Sequence, residues 1–334
     1  MKMQFNLLEP KDIEGIVQLR DGEKKIGQCI RLCTEDLTNS IKEFDGSFVL
    51  FGVAEDIGPK ANCGRGGANT AWSPFLEKFV NLQSNTFLKG EEILLLGHFD
   101  FQNIQEKGAS LESLRSAVEL IDEQVSSLVE LLVKHDKIPI IIGGGHNNAY
   151  AALKGCSEAL QKKVNCINCD PHADFRPLEG RHSGNGFSYA MADEYLHKYS
   201  IVGLHENYNS QSMLQKLDEA DVNYSLFEDI FVRNTLTFNE AIEDALASIK
   251  HDSFGIELDM DSIQHFPSSA QSPSGISTSD ARRYVHICGK EANVQYLHLP
   301  EAAPSLVDGS APQVGKMLAY LVSDFIKSQL EAKK

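Results

Sequence analysis

Two imidazoles and four carboxylates stand in three short clusters of this chain. His146 follows Gly143-Gly144-Gly145, the run Asp170-Pro171-His172-Ala173-Asp174 holds three donors, and Asp259-Met260-Asp261 holds two. Carboxylate and imidazole without thiolate suit hard or borderline divalent ions such as Mn2+ and disfavour Cu(I) or a structural zinc knot. Six protein ligands exceed what one catalytic ion with an open position needs. They fit two ions about 3.5–4 Å apart sharing a hydroxide, because carboxylates bridge. Such a pair lowers the pKa of bound water toward neutrality and sets it against an electrophilic carbon. No Ser or Cys nucleophile is then required, and no G-x-S-x-G elbow occurs.

Each cluster taken alone has a plainer reading. Gly143 to Gly145 could cradle a phosphate, but the run lacks the G-K-[ST] ending of a P-loop and the spacing of a dinucleotide turn, so a tight turn delivering His146 fits better. A single histidine reads as an ordinary core or turn residue, and Asp-x-Asp as a solvated strand end. The coincidence of all three is what points to metal.

The elements that must position these donors are legible as strand-length apolar runs: Phe48 to Val53, Ile93 to Leu96, Ile138 to Ile142, Val164 to Cys169, Ser200 to Val202, Phe254 to Leu258 and Val294 to Leu299. Between several of them lie segments of helical period. The plainest runs from Leu111 to His135, with Leu111, Leu114, Val118, Ile121, Val125, Leu128 and Leu132 on one stripe. A last helix, about Gln313 to Glu331, repeats the pattern. Alternating strand and helix predicts an α/β fold, a mostly parallel sheet covered by helices on both faces. Three strands run directly into the donor clusters, and ligands of open parallel sheets collect beyond the carboxyl ends of strands. The turn-rich stretch Gln264 to Ser279 follows such a strand and reads as an active-site loop. No repeat or linker divides residues 1–334, so one catalytic domain is expected.

Composition narrows the function classes. Hydrophobic residues make up 42% and charged residues 23% of 334 residues, an ordinary globular balance. The formal net charge of −16 argues against nucleic acid as a partner, since phosphate backbones are held by clustered Lys and Arg. The chain shows no run of about 18 uninterrupted apolar residues and no export signal, so no membrane anchoring is expected. Seven cysteines, an odd number in a long chain, suit reduced thiols in the cytoplasm better than a disulfide framework. Cys166 and Cys169 form a C-x-x-C within an apolar run, and strand geometry sends residues three apart to opposite faces, so they read as buried thiols.

The three donor clusters resemble the G-G-x-H, D-A-H-x-D and D-x-D elements of the ureohydrolases, the family of arginase, agmatinase and formimidoylglutamase. Gly52-Val53-Ala54-Glu55-Asp56-Ile57-Gly58 and Arg65-Gly66-Gly67-Ala68 are similar to that family's first strand and loop, and Glu301-Ala302-Ala303-Pro304 to its late E-x-N-P. The resemblance implies a three-layer α-β-α sandwich, two Mn2+ ions and a homo-oligomer. One ion would take His146, Asp170, Asp174 and Asp259, and the other Asp170, His172, Asp259 and Asp261. Asp170 and Asp259 would bridge them and hold the hydroxide, and Glu301 would clamp a planar amidine or guanidine by charge-assisted hydrogen bonds.

Departures from the family pattern bear on the substrate. His182-Ser183-Gly184-Asn185-Gly186-Phe187 stands where agmatinases carry H-G-T-P-F, and Ser183 takes the place of the histidine, as in the S-G-T-P-F of formimidoylglutamases. Gln264 replaces the third Asp of D-x-D-x-x-D-P, Pro171 replaces an alanine, and Ser272-Pro273-Ser274-Gly275-Ile276-Ser277 looks like the formimidoylglutamase P-G-V-S loop. The expected reaction is hydrolysis of N-formimidoyl-L-glutamate to glutamate and formamide, a step of histidine breakdown. Ser183 and Asn185 would line the substrate site, and Arg176 and Arg181 would receive the two carboxylates. In an alternative register His182 serves as the proton-transfer histidine and the substrate is arginine, agmatine or another guanidino acid. A third reading is a catalytically silent regulatory or assembly protein, against which retention of all six ligands speaks.

Overall fold

Runs such as Ile138-Pro139-Ile140-Ile141-Ile142 are apolar at successive positions, which only a strand covered on both faces can use. The computed structural model describes residues 4–34, 36–101, 104 and 109–332. Its strands are β1 (Phe5–Leu7), β2 (Arg31–Leu32), β3 (Phe48–Ala54), β4 (Ile93–Asp100), β5 (Ile138–Ile142), β6 (Val164–Cys169), β7 (Leu196–Leu204), β8 (Asn223–Leu226), β9 (Phe254–Leu258) and β10 (Val294–Leu299). They form one sheet in the order β1-β4-β3-β5-β10-β9-β6-β7-β8, with β2 also on β4. Among the described residues, β1 pairs antiparallel and the other pairings between these strands are parallel.

Side chains alternate across the sheet and build two cores. Phe48 and Leu50 of β3 join Ile140, Ile256 and Leu297 under the helices Trp72–Phe79, Phe238–Ile249, Thr278–Gly289 and Ala311–Ala332. Val49, Phe51 and Val53 point the other way, to the helices Leu111–Lys134, Asn148–Leu160, Gly186–Ala192 and Gln211–Glu219. Three layers result, as expected. Cys169 lies in the first core and Cys166 in the second, so the C-x-x-C is split by the sheet. Among the described residues, no helix is long and apolar enough to cross a membrane.

Several elements differ from their sequence outlines. β4 and β7 extend well past the apolar runs, through Gly97-His98 and from Leu196-His197-Lys198, because ladder pairing tolerates polar side chains at strand ends. Leu111 opens the long helix but is 39% exposed, so the buried stripe begins at Ala117.

For the site, the decisive feature is the adjacency β5-β10-β9-β6. Leu299 is level with Ile142, and Cys169 with Leu258. Four neighbouring strands, about 4.8 Å apart, thus end on a common rim, and the residues that follow them converge from positions up to 155 apart in sequence.

Candidate metal centre

The turn after β5 is built for its sequence. Gly143 and Gly144 have φ of 79° and 75°, in the left-handed region that side chains disfavour, and a Cβ on Gly144 would lie 2.6 Å from Asn148 Nδ2. Buried Glu55 fastens this turn. Its Oε1 accepts from Gly145 N and Asn148 Nδ2, both at 2.7 Å, and its Oε2 from Ile57 N and Gly58 N. His146 is delivered fully buried over the sheet rim.

After β6, Asp170 turns its Oδ1 to His172 N at 2.7 Å, while Asn168 Nδ2 donates to its Oδ2 at 3.0 Å. The chain then bends so that Asp174 adopts φ 46°, a strained conformation for a residue with a Cβ, and its carboxylate reaches His146 Nδ1 at 3.0 Å. Pro171 contributes its carbonyl, which accepts from His205 N and Asn209 Nδ2. After β9, Asp259 Oδ1 accepts from Asp261 N at 2.8 Å.

These ends bring the six predicted ligands together in two groups. His146 Nδ1 lies 3.1 Å from Asp170 Oδ2 and 3.0 Å from both Asp174 Oδ2 and Asp259 Oδ2. His172 Nδ1 lies 3.5 Å from Asp170 Oδ1 and 3.4 Å from Asp261 Oδ2. Within each group the donor atoms lie within 4.8 Å of one another, and Asp170 belongs to both. Asp259, expected to bridge, stands in the first group, and its other oxygen accepts from Asp261 N.

The donor set passes a direct test for a cation. Around an octahedral ion with donors about 2.1 Å away, neighbouring donors sit about 3 Å apart, and that is the spacing of the His146 group. His146 Nδ1 is buried and makes no directed hydrogen bond despite three oxygens around it, and Asp261 Oδ1 is buried without a partner. Such orphaned atoms cost free energy unless a ligand satisfies them.

Electrostatics agree. Burial, then the repulsion of Asp170, pushes Asp174 above the usual carboxyl range, and burial with the charges of Asp261 and Asp170 raises Asp259. Burial also raises Asp261. Asp170 alone is held low, because His146 and His172 outweigh its burial. The cluster is a region of unbalanced negative charge that cations would relieve.

The groups open into a cavity of about 460 Å³ lined by His172, Asp174, Asp259, Asp261, Ser183 and Glu301, with Arg176 and Lys216 among its further walls. Glu301, at φ 65° beyond β10, accepts from His146 N at 2.9 Å and from Ser269 Oγ. Burial and the nearby Asp259 push its carboxyl up to about 8.

Three residues expected in the pocket lie elsewhere. Arg181 is buried between Tyr150 and Tyr189, and its guanidinium is taken by Asp122 at 2.9 Å, Asn185 Oδ1 at 2.7 Å and Asn147 O at 2.9 Å. No face remains for a substrate carboxylate. Asn185 is fully buried and spends its amide on Arg181, His182 N and the Gly180 and Pro177 carbonyls. His182 is also fully buried. Its Nδ1 accepts from Gly184 N, its Nε2 faces Glu179 Oε1 at 3.2 Å, and burial lowers its pKa to about 4. It belongs to the scaffold of the loop and not to the cavity wall.

Sequence reading missed Lys216, Asn209 and Tyr208, all lining the cavity. Asn209 holds the ligand loop through Pro171 O and Ala173 N, and Tyr208 stacks on His172 with ring centres 5.1 Å apart. Lys216 sits on the amphipathic helix Gln211–Glu219 and carries no signal to distinguish it from a solvated lysine.

Comparison with known proteins bears on this arrangement. Residues 47–325 match the profile of the arginase family. A formimidoylglutamase of Geobacillus sp. (strain WCH70) is 26% identical over 319 residues, 93% of each chain. The fold is that of the Bacillus subtilis formimidoylglutamase, at 17% identity and TM-score 0.77 over 98% of this chain and 100% of that one. It is also that of a Trypanosoma cruzi formiminoglutamase solved with two Mn2+ ions, at 19% identity and TM-score 0.71 over 91% and 99%.

Proposed function

The chain belongs to the arginase family, and on that premise we propose that it hydrolyses N-formimidoyl-L-glutamate to L-glutamate and formamide with two Mn2+ ions. The observation that carries the substrate is the wall of the cavity. Arg176 and Lys216 line it, and neither side chain has a hydrogen-bond or ion-pair partner among the described residues, in a chain of net charge −16. Two free cations at the mouth and Glu301 beside the donor groups match a substrate with two carboxylates and one cationic amidine. Agmatine, which carries no carboxylate, would leave both cations unanswered.

His146, Asp170, Asp174 and Asp259 would hold one ion, and Asp170, His172 and Asp261 the other. When bound, the pair supplies the Lewis acidity that makes water nucleophilic at neutral pH. The chain's own groups do the positioning. Glu301 receives the amidinium, whose charge relieves the repulsion from Asp259. Arg176 and Lys216 fix the glutamate end, and Ser183 borders the formimidoyl group with a short polar side chain. Water adds to the formimidoyl carbon, the bond to the glutamate nitrogen breaks, and that nitrogen leaves as the amine after gaining a proton. The seven free thiols support a reducing, cytoplasmic setting.

The test is a substrate panel with Mn2+ supplied, scoring formamide from formimidoyl-glutamate against urea from arginine, agmatine and related guanidino acids. Formamide release should dominate. Preferred urea release would sink the substrate assignment. Failure to bind Mn2+ or to turn over any of the panel would leave a silent member of the fold.

A further inference from the structure

A row of buried polar residues crosses three central strands of the sheet beneath the donor groups. Glu257 of β9 is level with Asn168 of β6 on one side and His298 of β10 on the other, and all three are fully buried. Asn168 has an evident task, since its amide donates to Asp170. Glu257 and His298 do not touch the cavity, and nothing in the chemistry above uses them.

A carboxylate in the middle of a sheet is costly unless donors surround it. Here Tyr296 Oη donates to Glu257 Oε1 at 2.8 Å, and His298 Nδ1 lies 2.7 Å from Oε2. Both donors come from β10. They aim Oε2 at one remaining group, His146 Nε2, 3.4 Å away. That nitrogen is buried and makes no hydrogen bond of ordinary geometry, so the Glu257 carboxylate is a charged neighbour within ion-pair distance, and Phe187 packs edge-on against the same ring.

The two nitrogens of His146 therefore face different tasks. Nδ1 looks into three carboxylate oxygens and can serve an ion only through its lone pair. A neutral imidazole must then carry its proton on Nε2, and among the described residues the carboxylate facing it is Glu257. We propose that Glu257, held by Tyr296 and His298, is a positioning residue that accepts a hydrogen bond from the Nε2–H of His146 and so fixes the tautomer and ring orientation in which Nδ1 would bind the first ion. The negative carboxylate also makes the ring a stronger donor. Removal of such outer partners costs about 10–100-fold in metal affinity.

This inference rests on the metal reading of the site, and the experiment separates the two. Mn2+ binding is measured by equilibrium dialysis on wild type, His146→Ala, Glu257→Gln and Glu257→Leu, with melting curves of each. Wild type should bind two ions, and His146→Ala identifies the weakened step. In Glu257→Leu the same step should weaken by about 10–100-fold while the other ion keeps its affinity. Glu257→Gln, which retains an oxygen acceptor without the charge, should fall between. Selectivity is the diagnostic, because a general disturbance of the fold would weaken both ions through the shared Asp170. Should Glu257→Leu fail to fold, Glu257→Gln and Tyr296→Phe carry the test, both weakening the His146 step alone. Wild-type affinity at that step in the folded variants, or equal loss of both ions, overturns the proposal. A wild type that binds no Mn2+ overturns the metal reading instead.

Discussion

At the scale of single residues, Asp170 differs from every other ligand because it gives Oδ2 to one donor group and Oδ1 to the other. Asp170→Ala should therefore lose both ions on metal analysis after gel filtration, with activity lost alongside. His146→Ala should retain the ion beside His172, and excess Mn2+ should recover part of its activity by mass action. Similar metal content in the two variants would contradict the shared position of Asp170. Arg176 and Lys216 make a second, separable prediction. They are assigned to the glutamate carboxylates and not to the metal donors, so Arg176→Met or Lys216→Met should raise KM about tenfold with little change in kcat, as expected when binding common to ground and transition states is lost. Steady-state kinetics decides, and a fall in kcat at constant KM would contradict the assignment. The ligands were legible because donor type and spacing are confined to short motifs at strand ends. Arg181 was misplaced because an arginine beside such a motif looks the same whether it faces solvent or pairs with Asp122, 59 positions earlier. Lys216 was invisible because its neighbours in space are remote in sequence.

At the scale of elements, the bond from Asp122 to Arg181 is a staple between the helix Leu111–Lys134 and the loop that follows the second donor cluster. Both side chains are 3% exposed. Removal of one partner of a buried pair leaves the other uncompensated, so Asp122→Ala should lower unfolding free energy by about 3–5 kcal/mol in denaturant titrations. A loss under 1 kcal/mol would show that Arg181 is satisfied by Asn185 and the Asn147 carbonyl alone. His182→Ala touches the same loop from inside. A proton-transfer group contributes about 10²–10⁴-fold to rate, so kcat should fall much less than this, with metal content unchanged and a lowered melting temperature. A loss within that range would return His182 to the chemistry and revive a guanidine substrate. The other strands and the long helices were readable from apolar period, but β8, Asn-Tyr-Ser-Leu, carries no apolar run, and β1 and β2, of three and two residues, are too short to show one. The antiparallel edge was hidden for that reason. The direction of the Arg181 side chain depends on how a helix crosses the sheet, which local pattern does not encode.

At the scale of the whole molecule, protons, metal and folding are linked through the site. Burial and mutual repulsion raise Asp174, Asp259 and Asp261, and push Glu301 up to about 8. A group whose folded pKa lies above its unfolded value stabilises the fold while protonated, and that stability is lost as pH rises through the folded value. His146 and His172 act in the same sense. Burial opposes their charge, but the carboxylates around them hold both well above the usual imidazole range, so they too favour the folded state at low pH and cease to as they deprotonate. Asp170 and Glu257, whose carboxyls are depressed, lose their contributions only as pH falls below the ordinary range. The metal-free protein should therefore melt at progressively lower temperature from about pH 6.5, above which the depressed His98, His182 and His205 no longer act in the opposite sense, to about pH 8. Mn2+ should bind the deprotonated donors, displace those protons and reverse the trend, since an ion at 100 times its Kd stabilises by about 2.7 kcal/mol. Melting curves in EDTA and in Mn2+ across that range test the linkage. The gain in Tm from Mn2+ should grow with pH, and the Glu301→Gln variant, which removes a carboxyl pushed up to about 8, should show a flatter EDTA curve above pH 6. A metal-dependent gain that is constant with pH would mean that the cluster is not the place where folding and protonation meet.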